Sequence, residues 1–264
     1  MRNRLAFALV AVAVLGSTGR AQDVKDVIHQ GGLTLGILRG LNETDFIVAS
    51  QFDANGTMLV SGRMVKVPRY RGQMRWDIPG YRVDYDVEDG AQKQRHVEVV
   101  AGKFAWNEDK PGGGLTEKSG NATPRAEAYQ ERLIQLWLTP HGVMKAAAAA
   151  GSKATLKMVG GKPVVTFPLP APLESTMFTL TLDATRVRPE KVETKIGAAA
   201  IEATYSGYKD FDNSDVYYPA RVIQKRDGKV VLDLTVTHGM GYNPYVIFPV
   251  PKNVSAGQPG KVGG

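Results

Sequence analysis

Cysteine is absent from this chain of 264 residues. Its absence excludes disulfide bonds, a cysteine nucleophile and the lipid-modified cysteine of an acylated lipoprotein. Long apolar runs are scarce as well, since no stretch after residue 15 approaches the roughly 20 apolar residues of a membrane-spanning helix. We therefore expect a soluble mature chain without an integral membrane anchor, whose core is large enough to need no disulfide.

Motifs of common catalytic and metal sites are also missing. There is no Gly-x-Ser-x-Gly elbow, and the three glycines at 112–114 lack the Lys-Ser/Thr of a phosphate loop. The four histidines are His29, His96, His141 and His238. Their spacing fits no zinc motif. Two acidic stretches, 84–90 and 210–215, begin like calcium loops, but arginine occupies the position of the last ligand in both. We predict no metal, no cofactor and no catalytic residue.

A mixed basic and aromatic stretch at residues 69–76 raises the question of nucleic acid. In a strand, alternate side chains point to opposite faces. Tyr70, Met74 and Trp76 then share one face while Arg71 and Arg75 share the other, whereas stacking on single strands needs both types together. We predict that nucleic acid is not a partner.

The N-terminal residues 1–21 have the organisation of a signal peptide. Arg2 and Arg4 precede an apolar run at 5–15, and Gly19 and Ala21 supply small residues before the expected cleavage site. A retained anchor is the alternative, but the run is too short to span a bilayer. We predict cleavage near Ala21 and a periplasmic or secreted protein, whose net charge falls from +7 to +4 when the three arginines of this segment are removed.

Hydrophobic periodicity changes along the mature chain. Residues 23–41 form a weak helix candidate, and period-two alternation starts at Asp45. Hairpin turns are predicted at Asn55-Gly56, Asp89-Gly90, Gly160-Gly161 and Asp227-Gly228. Residues 107–122 are predicted to form a flexible Gly-rich loop. Residues 123–151 are predicted to form two helices that start at Thr-Pro pairs. Residues 252–264 are predicted to form a disordered tail.

This order predicts an α+β fold that is mainly antiparallel β. One curved sheet or unclosed barrel, covered or plugged by the helical pair, accounts for residues 22–251 as a single domain. Large or pliable apolar side chains on one-sided strands suggest that the sheet encloses an apolar cavity. The residues predicted to line it are Met64, Met74, Trp76, Trp137, Phe178 and Tyr205.

Several stretches resemble the LolA/LolB-like superfamily of outer-membrane lipoprotein carriers. They are residues 188–193 (RPEKVE), 201–211 (IEATYSGYKDF), 218–221 (YPAR) and 231–236 (VLDLTV). The resemblance implies an unclosed barrel with helices at its mouth and a cavity for acyl chains. These stretches, with 136–142 (LWLTPHG), are also similar to the β-rich module ahead of some metallo-β-lactamase-fold hydrolases, but the hydrolase domain and its zinc motif are missing.

Together these observations favour an exported, non-catalytic protein that shelters an apolar ligand such as a lipid or a lipoprotein acyl chain. The alternative is a structural or accessory interaction module whose barrel is filled and holds no ligand. An unrecognised hydrolase is the third hypothesis, because carboxylate pairs cannot be identified from spacing alone.

Overall fold

The computed structural model describes residues 23–39, 42–109 and 122–263. The predicted signal peptide and most of the predicted Gly-rich loop lie outside the described residues. The helices are α1 (Val24–Leu35), α2 (Tyr129–Trp137), α3 (Pro140–Ala150) and α4 (Lys252–Ser255). The strands are β1 (Leu38–Arg39), β2 (Thr44–Asp45), β3 (Ala49–Val60), β4 (Arg63–Arg75), β5 (Gly80–Asp89), β6 (Gln92–Ala101), β7 (Phe104–Glu108), β8 (Ala122–Pro124), β9 (Thr155–Val159), β10 (Lys162–Pro168), β11 (Met177–Leu182), β12 (Pro189–Ile196), β13 (Ala199–Ser206), β14 (Lys209–Asp210), β15 (Tyr217–Tyr218), β16 (Arg221–Arg226) and β17 (Lys229–Met240).

Thirteen strands form one antiparallel sheet in the order β8-β7-β6-β5-β4-β3-β17-β16-β13-β12-β11-β10-β9. The sheet is curved and unclosed, with β8 at one edge and β9 at the other. Each half is a meander, and the pairing of β3 with β17 joins the halves. The predicted fold class, a mainly antiparallel curved sheet combined with helices, is confirmed.

The helical pair lies between the two edge strands in the chain and inside the curve of the sheet in space. The side chain of Thr139 caps α3 by accepting from the backbone N–H of Gly142 at 3.1 Å, and Pro140 occupies the first turn. The predicted helix start at Thr123-Pro124 is wrong, because both residues lie in β8 and α2 begins at Tyr129. α2 contacts β5 and β6, α3 contacts β10 and β12, and the two helices contact each other. Because seven strands separate β5 from β10 in the sheet order, the sheet has to curl around the pair.

The Asn55-Gly56 pair, which predicts a turn, lies inside β3 instead. The chain reverses at Ser61 and Gly62, between β3 and β4. At Gly56 a Cβ atom would lie 1.9 Å from the carbonyl oxygen of Asp233 in β17, and the register with β4 shifts at this point. The glycine therefore permits a close approach of two strands rather than a reversal of the chain.

The C-terminal residues 252–263 differ from the predicted disordered tail. Val254 in α4 is 1% exposed and joins a small apolar cluster with Trp106. The backbone N–H of Gly260 donates to the carbonyl oxygen of Lys103 at 2.7 Å. Single residues and backbone groups attach this segment to the rest of the protein, so its sequence shows no periodicity. A helix as short as α4 is also too short to show an amphipathic repeat.

Candidate functional site: a cleft between α2 and the sheet

Five of the six residues predicted to line a cavity lie inside the packed core. They are Met74, Trp76, Trp137, Phe178 and Tyr205. Tyr205 donates its hydroxyl to the carbonyl oxygen of Leu138, and the Trp76 ring lies 6.0 Å from the ring of His141, so both pack at the junction of α2 and α3. These side chains belong to one packed core cluster, and none borders the three cavities described below.

Met64, the sixth predicted residue, stands apart from the other five. It lies in β4 one residue after Arg63, which opens the strand, and its side chain is 46% exposed. Its cross-strand partner in β3 is Leu59. The structure therefore does not bring Met64 together with the buried group.

An open cleft of about 400 Å³ separates α2 from the part of the sheet that faces it. We call it the α2 cleft. Its wall on β3, β4, β5 and β17 carries Met58, Tyr70, Tyr81, Val83, Tyr85, Val231 and Leu232. Polar side chains from the helical side and from β6 and β16 complete the lining, together with Ala128: Glu98, Glu131, Arg132, Gln135 and Gln224.

Three tyrosines dominate the sheet side of the α2 cleft. Tyr70 and Tyr85 are cross-strand partners whose ring centres lie 6.2 Å apart, and the hydroxyl oxygens of Tyr70 and Tyr81 lie 3.4 Å apart. The hydroxyl of Tyr85 donates to Glu98 at 2.8 Å. Burial raises the pKa of Tyr70 and Tyr85 well above the usual value and that of Tyr81 to about 12. All three phenols are therefore neutral near pH 7, and the wall presents uncharged rings.

Side-chain contacts on both sides of the α2 cleft hold α2 in place. Arg132 pairs with Glu98 on β6 at 3.1 Å, and it also donates to the backbone of β6 and β7. On the β16 side, the amide of Gln224 donates to Gln135 at 3.0 Å, and Arg226 pairs with Glu131. The cleft is thus bridged by polar contacts at its rim while its wall on the sheet is apolar.

Two other cavities border the same fold. A groove of about 330 Å³ runs between α1 and α3 over Ile28, Ile37, Leu38 and Met144. A wider depression of about 830 Å³ crosses the ends of β11, β12 and β13, but its lining is mostly Thr, Glu, Lys and Gly. The α2 cleft is the cavity that combines an aromatic and aliphatic wall with a position on the inner side of the curved sheet, so we take it as the candidate site.

The wall of the α2 cleft can bury apolar surface of a ligand. Among residues 23–39, 42–109 and 122–263, no three His, Asp or Glu side chains gather closely enough to hold a metal ion. The helices of the same segments are too short or too polar to cross a membrane. Two of the rim carboxylates, Glu98 and Glu131, are engaged by arginines.

The sequence analysis did not identify Met58, Tyr81, Val83 and Tyr85 as cleft residues. A usable signal existed, since Tyr81, Val83 and Tyr85 alternate with charged residues along β5 and therefore share the inner face. Two tyrosines on an inward face indicate a wall that is apolar in its rings and polar at its tips. The position of α2 over this strand, rather than over its neighbours, was not readable from the alternation.

Comparison with solved structures finds similar chains of very low sequence identity. One match is a domain from Vibrio parahaemolyticus that is assigned to outer membrane lipoprotein sorting. It has 9% identity and a TM-score of 0.50, and the alignment covers 85% of this chain and 95% of that chain. A LolA superfamily protein from Nitrosomonas europaea matches at 10% identity with a TM-score of 0.47, covering 83% and 94%. A DUF1329 family protein from Desulfovibrio piger matches at 8% identity with a TM-score of 0.43, covering 85% and 95%.

No protein-family model matches the sequence, and no curated protein matches it either. The likeness to the Vibrio domain therefore concerns the fold. The fold implied by the sequence resemblance, an open antiparallel sheet with helices, is confirmed at that level.

Proposed function

We propose that this protein is an exported binding protein that shelters one apolar chain, such as an acyl chain of a lipid or lipoprotein, in the α2 cleft. The observation that carries the proposal is the cleft itself: about 400 Å³ of open space against a wall of Met58, Val83, Leu232 and three neutral tyrosines. Cavities of this size and lining are typical of small-molecule sites. The fold shared with a lipoprotein-sorting domain agrees with this class of ligand.

Binding in the α2 cleft would draw its free energy from burial. Each methylene group removed from water contributes about 0.8 kcal/mol. Among the described residues at the rim, Arg132 and Arg226 already pair with Glu98 and Glu131 and are not available as unpaired charges for an anionic headgroup. The headgroup would therefore stay in solvent, and the proposed selectivity is for the chain. The expected location is the periplasm, in accordance with the signal peptide predicted for residues 1–21.

The test compares two methionines that the structure places differently. Met58→Trp puts an indole into the α2 cleft, whereas Met64→Trp puts the same group at a site that is 46% exposed and outside the cleft. Binding of a dansyl-labelled undecanoic acid is measured by fluorescence titration. We expect Met58→Trp to weaken binding at least about tenfold, because displacing two methylenes costs about 1.6 kcal/mol. Met64→Trp should bind as the wild type does.

Lipid extraction complements the titration. Protein purified without detergent is extracted with organic solvent, and the extract is analysed by mass spectrometry against a similarly purified unrelated protein. Co-purified lipid that is reduced in Met58→Trp supports the proposal. If the wild type neither carries lipid nor binds the labelled acid, the proposal is wrong, and the filled interior around Trp76 and Tyr205 favours the accessory module instead.

A further inference from the structure

A group of exposed apolar side chains gathers at one end of the sheet, opposite to the hairpin turns beside the α2 cleft. Its members are Phe46, Ile78, Tyr242, Tyr245 and Ile247, with exposed fractions of 48, 61, 38, 88 and 69%. We call this group the apolar tip. It comes from three separate segments: the entry to β3, the turn between β4 and β5, and the chain after β17.

Contacts between these segments show that the apolar tip is one surface. The rings of Phe46 and Tyr242 lie 5.2 Å apart. The backbone N–H of Asn243 donates to the carbonyl oxygen of Ala49 at 3.0 Å, which fixes the C-terminal segment to the start of β3. Arg75, at the end of β4, donates to the carbonyl oxygen of Val246 at 3.1 Å.

The segment after β17 is anchored by alternate residues. Val246 is 2% exposed, and Phe248 packs beside Gly80 at the start of β5. Tyr245 and Ile247, on either side of Val246, point outwards. Buried contacts thus fix a segment whose two large apolar side chains remain in solvent. Exposure of such apolar surface is unfavourable unless a partner covers it.

Two of the charged groups next to the apolar tip are compensated. Arg75 forms two hydrogen bonds with the carboxylate of Asp77, at 2.8 and 2.9 Å. Lys145 pairs with Asp45, the residue before Phe46. If this surface entered a medium of low dielectric constant, Arg75 and Lys145 would not be transferred there as unpaired charges.

We infer that the apolar tip docks on a lipid bilayer surface. Tyrosine and phenylalanine are favoured at the boundary of headgroups and acyl chains, and isoleucine enters the hydrocarbon. The groove between α1 and α3, which includes Ile37 and Leu38, lies beside the tip, because Asp45 lines this groove and directly precedes Phe46. The choice of a bilayer over a protein partner rests in part on the proposed function, since a lipid ligand has its source in a membrane.

The experiment is co-flotation of the full mature chain with phosphatidylcholine vesicles. Tyr245→Ser/Ile247→Ser removes two exposed apolar side chains from the tip. Met158→Ser/Val159→Ser removes two side chains of similar exposure, 56 and 59%, from the edge strand β9. We expect the tip variant to lower the partition coefficient at least about tenfold, equivalent to about 1.4 kcal/mol, and the edge variant to leave it unchanged. Since phosphatidylcholine carries no net charge, and Arg75 and Lys145 are paired with Asp77 and Asp45, binding should vary little with salt.

A second measurement does not depend on the double variants. Tyr245→Trp introduces an indole at the most exposed position of the tip, whereas the three native tryptophans are at most 7% exposed. We expect its emission to shift to the blue when vesicles are added. No flotation of the wild type and no shift would overturn the inference. Self-association that is lost in the tip variant, without vesicle binding, would also overturn it and assign the surface to a protein contact.

The two proposals fail separately. Met58→Trp, which fills the α2 cleft, should still float with vesicles, because Met58 does not belong to the tip. The tip variant should still bind the labelled acid in solution. Loss of both properties in one variant with an unchanged unfolding midpoint would show that the assignment of two separate surfaces is wrong.

Discussion

Asp84 lies on the outer face of β5 and is 3% exposed although it is charged. Arg95 donates to it at 2.9 and 2.7 Å, Arg69 at 2.5 Å and Arg82 at 3.3 Å. Burial by itself would raise the pKa of this carboxyl, but the hydrogen bonds from Arg95 and Arg69 outweigh it and hold the pKa below its usual value. The carboxylate connects three neighbouring strands, which explains an acidic pattern that superficially resembles a calcium loop.

His141 is buried at the start of α3. The effect of its pKa on stability can be tested directly. Burial lowers the pKa of His141 to about 4. Its Nε2 lies 2.8 Å from the carbonyl oxygen of Tyr217, so the neutral ring donates from Nε2, and Nδ1 has no hydrogen-bond partner among the described residues. The unfolded chain, with an ordinary histidine pKa of about 6.5, binds more protons between these values.

We therefore predict that the free energy of unfolding falls as the pH drops from about 7 to about 4, by at most about 3 kcal/mol from this residue. Above pH 6.5 its contribution to stability is fully present. His141→Gln keeps an amide donor for the Tyr217 carbonyl but removes the titration, so its unfolding free energy should depend less on pH in denaturant titrations. His238→Gln, at an exposed position, is the control. Equal pH slopes for wild type and His141→Gln would contradict the prediction.

At the scale of elements, α2 is held on its two sides by contacts of different kind. The Arg132 side chain is 13% exposed, and besides Glu98 it donates to the carbonyl oxygens of Val99 and Trp106. The pair of Glu131 and Arg226 is 47 and 37% exposed. Removal of a buried partner leaves polar groups unsatisfied, whereas exposed ion pairs contribute little.

We predict that Arg132→Met lowers the free energy of unfolding by about 2 kcal/mol and speeds amide hydrogen exchange in α2. Glu131→Gln, one residue away, should cost less than about 1 kcal/mol. Denaturant titration and hydrogen exchange followed by mass spectrometry measure both effects. If the two variants behave alike, the contacts of Arg132 do not hold the helix.

The C-terminal segment contributes to the same element. Beyond α4, Gly260 lies against the ring of Tyr129 at the start of α2, where a Cβ atom would come within 2.1 Å of the ring. The backbone N–H of Gly263 donates to Gln130 at 3.0 Å. The end of the chain therefore touches the first turn of the helix that forms the candidate site, which the composition of residues 252–264 did not indicate.

At the scale of the whole molecule, strand pairing joins the two meanders of the described sheet at one place, where β3 pairs with β17. Leu234 is the partner of Gly56 at this joint, and the Asp233 carbonyl leaves no room for a side chain there. We predict that Gly56→Ala lowers the free energy of unfolding by about 2 kcal/mol through overpacking, in a single transition.

Gly62→Ala is the control for Gly56→Ala. Gly62 has a φ of +82° in the β3–β4 turn, and no atom of the described segments lies within 4 Å of the added methyl group. Its substitution should cost only the backbone strain of about 1 kcal/mol. Equilibrium unfolding in denaturant measures both variants. A Gly56→Ala protein as stable as Gly62→Ala would show that the joint can widen without penalty.

Local order could be read from the amino-acid sequence because its causes are local. The alternation in β5 and β17, the turns at Asp89-Gly90 and Asp227-Gly228, and the Thr139-Pro140 start of α3 each depend on neighbours within a few residues. Curvature followed as well, since two helices and many one-sided strands need one shared core.

Only the tertiary structure decided which apolar residues fill the core and which border open space. Met58 and Met64 are chemically identical and close in sequence, yet one lines the α2 cleft and the other faces solvent. Their difference depends on where α2 crosses strands that are far apart in the chain, and on long-range contacts such as that of Arg132 with β6 and β7. Periodicity assigns a side chain to one face of a helix or strand. A cavity is the space left between such faces, and its position depends on how all the elements pack together.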